Sequence, residues 1–201
     1  MFDPAMRRLI DRPLDRIGAG LARLGVSANL VSVAGFAIGL AAMVALAFRH
    51  DLLALALIMA NRTADGLDGA VARHAGITDL GGYLDIVLDF LFYSGVVFAF
   101  AVGRPDDALA AAFLIFSFVG TGTAFLAFAI MAAKRGITSE VRGRKSLFYI
   151  GGLTEGTETI AVLALICLVP GWFAWFAYAF GAMCWITTLG RVLHAVEALG
   201  E

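Results

Sequence analysis

Apolar residues run along this chain in long blocks, and the polar positions between them are few and clustered. Residues 30–48 form one uninterrupted block. A second starts at 52–60 and runs on into a segment rich in aspartate. The third, 82–102, carries Asp85 and Asp89 near its start, and the fourth is 108–133. The fifth, 148–169, is closed by the turn signal Pro170-Gly171, and the sixth is 172–190. The longer blocks approach the roughly 20 residues that cross a hydrocarbon core of about 30 Å. The pattern predicts an all-α integral membrane protein with six transmembrane helices.

The N-terminal segment, 1–25, follows another rule. Met6, Leu9, Ile10, Leu14, Ile17, Leu21 and Leu24 recur at helical spacing, arginines fill the other face, and Pro13 interrupts. This predicts an amphipathic helix in the headgroup region. The alternative reading is a positive orientation signal without further function. The segment lacks the continuous apolar core of a signal peptide. Residues 26–201 then make one membrane domain.

Composition agrees with a membrane location. The 201 residues are 61% hydrophobic, mean hydropathy is +0.88, and charged residues are 15%, against about 25% in soluble domains. The net charge of −1 matters less than its distribution. Arg7, Arg8, Arg12, Arg16, Arg23, Arg73, Lys134, Arg135, Arg142, Arg144, Lys145 and Arg191 fall on one side of a six-span arrangement, and only Arg49 and Arg104 fall on the other. Positive residues favour the cytoplasm. A multi-pass cell-membrane protein with both termini and the aspartate segment cytoplasmic is expected.

Cysteines and histidines add little. Cys167 and Cys184 lie in apolar blocks, where cysteine behaves as a small hydrophobe. His50, His74 and His194 are scattered, and His74, near the aspartates, reads as a solvated loop residue. Neither a soluble phosphate-binding loop nor a nucleic-acid-binding pattern is visible.

The aspartates carry the chemistry. Asp65, Asp68, Asp79, Asp85 and Asp89 fall within 25 residues of a greasy chain. Asp79 suits a short connecting loop. On one helix Asp65 and Asp68 share a face, which Gly69 and Ala72 continue. On the next, Gly81, Asp85 and Asp89 are four apart and form one stripe. Two adjacent helices then aim four carboxylates at a common space. Such groups repel one another unless a cation neutralises them, and hard oxygen ligands favour Mg²⁺, Mn²⁺ or Ca²⁺ over zinc. The small residues leave room for a ligand, and Arg73 offers a forked donor for phosphate. Carboxylates inside spans are costly and mark function, whereas charged groups at helix ends can simply snorkel.

The segment Asp65-Gly66-Leu67-Asp68-Gly69-Ala70-Val71-Ala72-Arg73, followed by Gly81, Asp85 and Asp89, resembles the signature of the CDP-alcohol phosphotransferase (CDP-alcohol phosphatidyltransferase) family. That signature reads D-x-x-D-G-x-x-A-R, a gap, then G-x-x-x-D-x-x-x-D. All eight fixed positions match, and the gap of seven residues between Arg73 and Gly81 is one shorter than in many members. Val26-Ser27-Ala28-Asn29 is similar to the family's T-P-N entry, with Ser27 and Ala28 replacing Thr and Pro. The resemblance implies transfer of a substituted phosphate from a CDP-alcohol, with CDP-diacylglycerol expected, to an acceptor alcohol, releasing CMP. It implies two divalent ions, Mg²⁺ or Mn²⁺, on Asp65, Asp68, Asp85 and Asp89, with Asp89 also the base. It assigns Asn29, Ser32, Gly69, Ala72, Arg73, Thr78 and Gly81 to the nucleotide, and it implies a homodimer among membrane lipids.

The acceptor is the open part. Lys134, Arg135, Arg142, Arg144, Lys145 and Arg191 suit a phosphorylated acceptor of the glycerol phosphate or inositol phosphate type; the positive-inside rule explains them without any ligand. The resemblance implies arginines among the glutamates of 151–159 in inositol-phosphate members, where this chain has Gly156 and Thr159. Glu155 and Glu158 share a face and suit hydroxyls or an amine, or else pair with Arg144 or Lys145. An acceptor without a phosphate is the expectation. From another class, intramembrane carboxylates also mark divalent cation transporters, but spans four to six carry no matching acidic set.

Overall fold

The computed structural model describes residues 3–136 and 153–200, with side chains from residue 11 onward. Every regular element among them is helical. The order is α1 (Asp3–Arg23), α2 (Ala28–Ala47), α3 (Asp51–Ala75), α4 (Asp79–Gly103), α5 (Ala108–Lys134), α6 (Gly156–Leu168) and α7 (Phe173–Leu199). Single 3₁₀ turns, Pro105–Asp107 and Pro170–Trp172, open α5 and α7. In both, the proline sits where a helix start has no use for its N–H.

Connections of three residues separate α2 from α3 and α3 from α4, so these helices run as antiparallel hairpins. Helix α2 lies against α3 and α4, α5 against α7, and α4 links the two groups through α5. Most of the best-buried side chains come from matching halves of these helices. They include Leu46 in the second half of α2, Ile58 in the first half of α3, Phe92 and Phe100 on α4, Leu114 on α5 and Phe173 at the start of α7. Phe100 stacks on Phe173 with ring centroids 4.1 Å apart. The core therefore fills the end of the bundle away from the aspartates. It is closed there by a partly buried ion pair, Arg104 to Asp51 at 2.6 Å, with the guanidinium 4.3 Å over the Phe100 ring.

Among the described residues, four helices are long and apolar enough to cross a membrane: α2, α4, and α5 and α7 with their 3₁₀ turns. Their outer faces expose Val44, Phe98, Phe116, Ile130, Trp175 and Ile186, an apolar surface of the kind that faces lipid rather than water. Helix α3 has 25 residues but is interrupted by charge, and α6 has only 13. The expected fifth span overreaches at its start: Leu153, Thr154 and Glu155 are not helical, and 148–152 lie outside the described residues. Asp79, expected in a loop, is the first residue of α4, where a carboxylate favours the helix start. His74 belongs to the last turn of α3.

Helix α1 runs unbroken through Pro13. It packs along α3, over the aspartate segment. Gly18 is the point of closest approach: a Cβ there would lie 2.7 Å from the Cβ of Ala70. Asp15 of α1 meets Arg73 and His74 of α3, each at 3.3 Å.

Candidate active site

The site forms where the second half of α3 faces the first half of α4. Helix α3 continues without a break from the apolar block through all of Asp65, Asp68, Gly69, Ala72 and Arg73. Helix α4 starts at a side-chain cap: the Thr78 hydroxyl accepts from the Gly81 amide at 3.0 Å. The cap sets the register that brings Asp85 and Asp89 round to α3. Carboxylate oxygens of Asp65, Asp85 and Asp89 lie within 4.8 Å of one another. Asp68 lies beside this triad, with its Oδ2 accepting from the Ser32 hydroxyl at 2.5 Å. Ser32, Asp65, Asp68 and Asp85 line one open pocket together with Gly35, Phe36, Asn61, Arg62 and Leu88.

The triad suits a hard divalent ion. Two oxygens bound to one Mg²⁺ or Ca²⁺ at about 2.0–2.6 Å are at most about 5 Å apart. The 4.8 Å spread is within that limit, and the donors are all oxygen. Three carboxylates this close would otherwise repel strongly.

Asn29 sits at the same end. A Cβ on Gly81 would lie 3.2 Å from the Asn29 side-chain oxygen and 3.1 Å from the Thr78 hydroxyl. Glycine thus lets α2 and α4 meet closely beside the pocket. Gly69 has open space in front of it, with only Arg73 Nη1 near, at 3.9 Å from a notional Cβ. Arg73 is half exposed and engaged with Asp15. Ala72 lies one residue before it on α3.

Arg62 was not singled out from the sequence, and it is the most heavily bonded side chain of the site. Its Nη1 donates to Asp89 Oδ1 at 2.6 Å and to the Tyr93 hydroxyl at 3.0 Å, and lies 3.6 Å from Asp65. Its Nε donates to the Asn61 side-chain oxygen at 2.7 Å. The guanidinium carbon sits 4.3 Å from the Phe92 ring centroid. Asn61 is itself buried and donates to the Gly35 carbonyl at 2.8 Å. The signal available in the sequence was an arginine one turn before Asp65, at the end of an apolar block.

Of the acceptor-pocket residues, Glu155 and Glu158 form a reciprocal capping box at the start of α6, with the Glu155 amide donating to Glu158 at 3.1 Å. Their spacing thus has a structural use at the helix end. Gly156 comes close to the carboxylate site: a Cβ there would lie 3.9 Å from the Tyr93 hydroxyl. Arg191 is buried between α7 and α5, donating to the Thr121 carbonyl at 2.8 Å. Thr154 and Thr187 bond to each other at 3.0 Å. Lys134 is exposed in the last turn of α5. Arg142, Arg144 and Lys145 lie outside the described residues.

Fold and site together define a helical membrane protein with a carboxylate-lined pocket at one end of its bundle. Residues 25–190 match the family model of CDP-alcohol phosphatidyltransferase. Inner membrane protein YnjF of Escherichia coli is 50% identical over 92% of this chain and 85% of its own length. Archaetidylinositol phosphate synthase of Pyrococcus horikoshii is 28% identical over 96% of both chains. The Mycobacterium tuberculosis phosphatidylinositol phosphate synthase, in a crystal structure with CDP-DAG bound, superposes with a TM-score of 0.75 over 92% of this chain and 94% of its own, at 18% identity. A second crystal structure of that enzyme, in complex with manganese and citrate, gives 0.70 over 91% and 88%, at 21% identity. The chain belongs to the CDP-alcohol phosphatidyltransferase family and is a membrane-bound transferase of phospholipid biosynthesis. Membership decides for an enzyme over a cation transporter.

Proposed function

We propose that the protein transfers a phosphatidyl group from CDP-diacylglycerol to the hydroxyl of an acceptor alcohol and releases CMP. The observation that carries this is the convergence of Asp65, Asp85 and Asp89, with oxygens within 4.8 Å of one another, at a pocket that Asp65, Asp68 and Asp85 line. Asp65, Asp68, Asp85 and Asp89 would hold the divalent ions, Mg²⁺ or Mn²⁺. When bound, the metal would neutralise diphosphate oxygens and the charge developing on the leaving group. Asn29, Ser32, Gly69, Ala72, Thr78 and Gly81 frame the space for the nucleotide. Arg73 would join them on release from Asp15.

Asp89 takes the proton of the acceptor hydroxyl. The acceptor oxygen forms a bond to the lipid-side phosphorus. The bond from that phosphorus to the bridging oxygen breaks, and CMP leaves with the electron pair. The acceptor approaches beside Tyr93 and the start of α6, where Gly156 borders the Tyr93 hydroxyl.

The distribution of basic residues supports a cytoplasmic pocket in a six-span arrangement, with α1 at the headgroup level. The family resemblance supports a homodimer. A phosphorylated acceptor is a second reading, favoured by the name of the Pyrococcus relative, an archaetidylinositol phosphate synthase. Gly156 and Thr159, where arginines are expected in such members, count against inositol phosphate. The test is CMP release by the purified protein from CDP-diacylglycerol, with a panel of free and phosphorylated alcohols. One alcohol should raise release well above the rate without acceptor; no response to any alcohol, with folded protein, would sink the reading.

A further inference from the structure

Arg62 is a cation built into a site made for cations. Its side chain is 7% exposed. It is held from several sides: by Asn61, which is anchored to the α2 backbone at Gly35; by the Tyr93 hydroxyl; and by the Phe92 ring. A side chain so fixed does not wander to whichever carboxylate is nearest. It presents one nitrogen to Asp89 Oδ1 at 2.6 Å and stands 3.6 Å from Asp65. Two of the three converging carboxylates, Asp65 and Asp89, thus share one fixed positive charge.

We propose that Arg62 is a positioning residue for the transfer: it locks the orientation of Asp89 and supplies part of the positive charge that the carboxylate cluster would otherwise draw from metal. The proposal deepens the phosphatidyltransfer reading and rests on it. Its two parts separate physically. Orientation needs the planar group, because Nε holds Asn61 while Nη1, fixed relative to it, meets both Tyr93 and Asp89. Charge needs only a cation near Asp89 and Asp65. A bound divalent ion shares its ligands with this guanidinium and is repelled by it, so the wild-type site holds metal less tightly than its carboxylates alone would allow.

Arg62→Gln removes the charge and the fork; Arg62→Lys keeps the charge and loses the fork. Mn²⁺ binding to the detergent-solubilised full chain is titrated by electron paramagnetic resonance without substrate. CMP release and thermal unfolding are measured on the same preparations. The expected result for Arg62→Gln is Mn²⁺ binding about tenfold tighter, with kcat about a hundredfold lower and the KM for CDP-diacylglycerol little changed. Arg62→Lys should bind Mn²⁺ as the wild type does and still lose kcat. A merely structural arginine would give weaker Mn²⁺ binding and a lower melting temperature in both variants. Unchanged or weaker Mn²⁺ binding in Arg62→Gln, or wild-type kcat in Arg62→Lys, would overturn the proposal. Should Arg62→Gln fail to fold, the kcat of Arg62→Lys at unchanged KM decides. A wild-type protein that neither binds Mn²⁺ nor releases CMP would remove the transfer reading itself, whereas variants that match an active wild type would remove only the role of Arg62.

Discussion

Asp89→Asn is the most informative single substitution, because it separates chemistry from architecture. Asparagine keeps the shape and one oxygen, and it loses the charge and the basicity. The Arg62 contact at 2.6 Å then changes from a charge-assisted bond to one with a neutral acceptor, which loses about 1–2 kcal/mol. Against that, one of three carboxylates within 4.8 Å is gone, and relief of their repulsion offsets a similar amount. The melting temperature should therefore shift by only a few degrees, about what 1 kcal/mol produces. Turnover is different. Loss of a general base removes about 10²- to 10⁴-fold, or about 3–5 kcal/mol of transition-state stabilisation. Mn²⁺ affinity should fall, because one anionic ligand becomes neutral, while the KM for CDP-diacylglycerol at saturating metal stays close to wild type. The assay is CMP release at saturating Mn²⁺ and acceptor, alongside thermal unfolding in the same detergent. A variant that is folded and turns over within about fivefold of wild type would show that proton removal does not limit the rate or does not involve Asp89.

Three further expectations follow from the same structure. Arg104→Ala should destabilise by about 1–3 kcal/mol, since it leaves the partly buried Asp51 carboxylate without its partner; thermal unfolding reads this, and Mn²⁺ binding at the far end should be unchanged. Glu158→Gln preserves an acceptor for the Glu155 amide, so the capping box survives; a rise in acceptor KM would then assign the glutamate to the acceptor pocket, and wild-type kinetics would leave it a helix cap alone. A single Cys introduced at Arg16 should react with a membrane-impermeant reagent from the cytoplasmic side and one at Asp106 from the opposite side, with the buried Cys167 and Cys184 silent; the reverse pattern would contradict the cytoplasmic placement.

The parts legible in the sequence were those set by local periodicity. Spacings of three and four placed Asp65 with Asp68 and Asp85 with Asp89, and the structure carries them on α3 and α4. The fourth block, 108–133, became α5 with its end one residue further on. Contacts between elements distant in the chain were not legible. Nothing local announces that Gly18 lies against Ala70, or that Asp15 occupies Arg73. Arg62 stood in plain view, but its meaning depends on Tyr93 and Asp89 from the next helix. The start of the fifth block shows the opposite error. Hydrophobicity favours a longer helix, yet Glu155 takes the N-cap position and Thr154 turns to Thr187, so the chain enters α6 only at Gly156.

The central claim is transfer to an alcohol, and the product tests it most directly. The purified protein is incubated with CDP-diacylglycerol, Mn²⁺ and the acceptor panel, and lipid and nucleotide products are identified together by mass spectrometry. One new lipid should appear, heavier than phosphatidic acid by the acceptor minus water, in a one-to-one ratio with CMP, and chelation should abolish both. CMP formed with phosphatidic acid alone, at a rate no acceptor changes, would mean hydrolysis rather than transfer and would contradict the account.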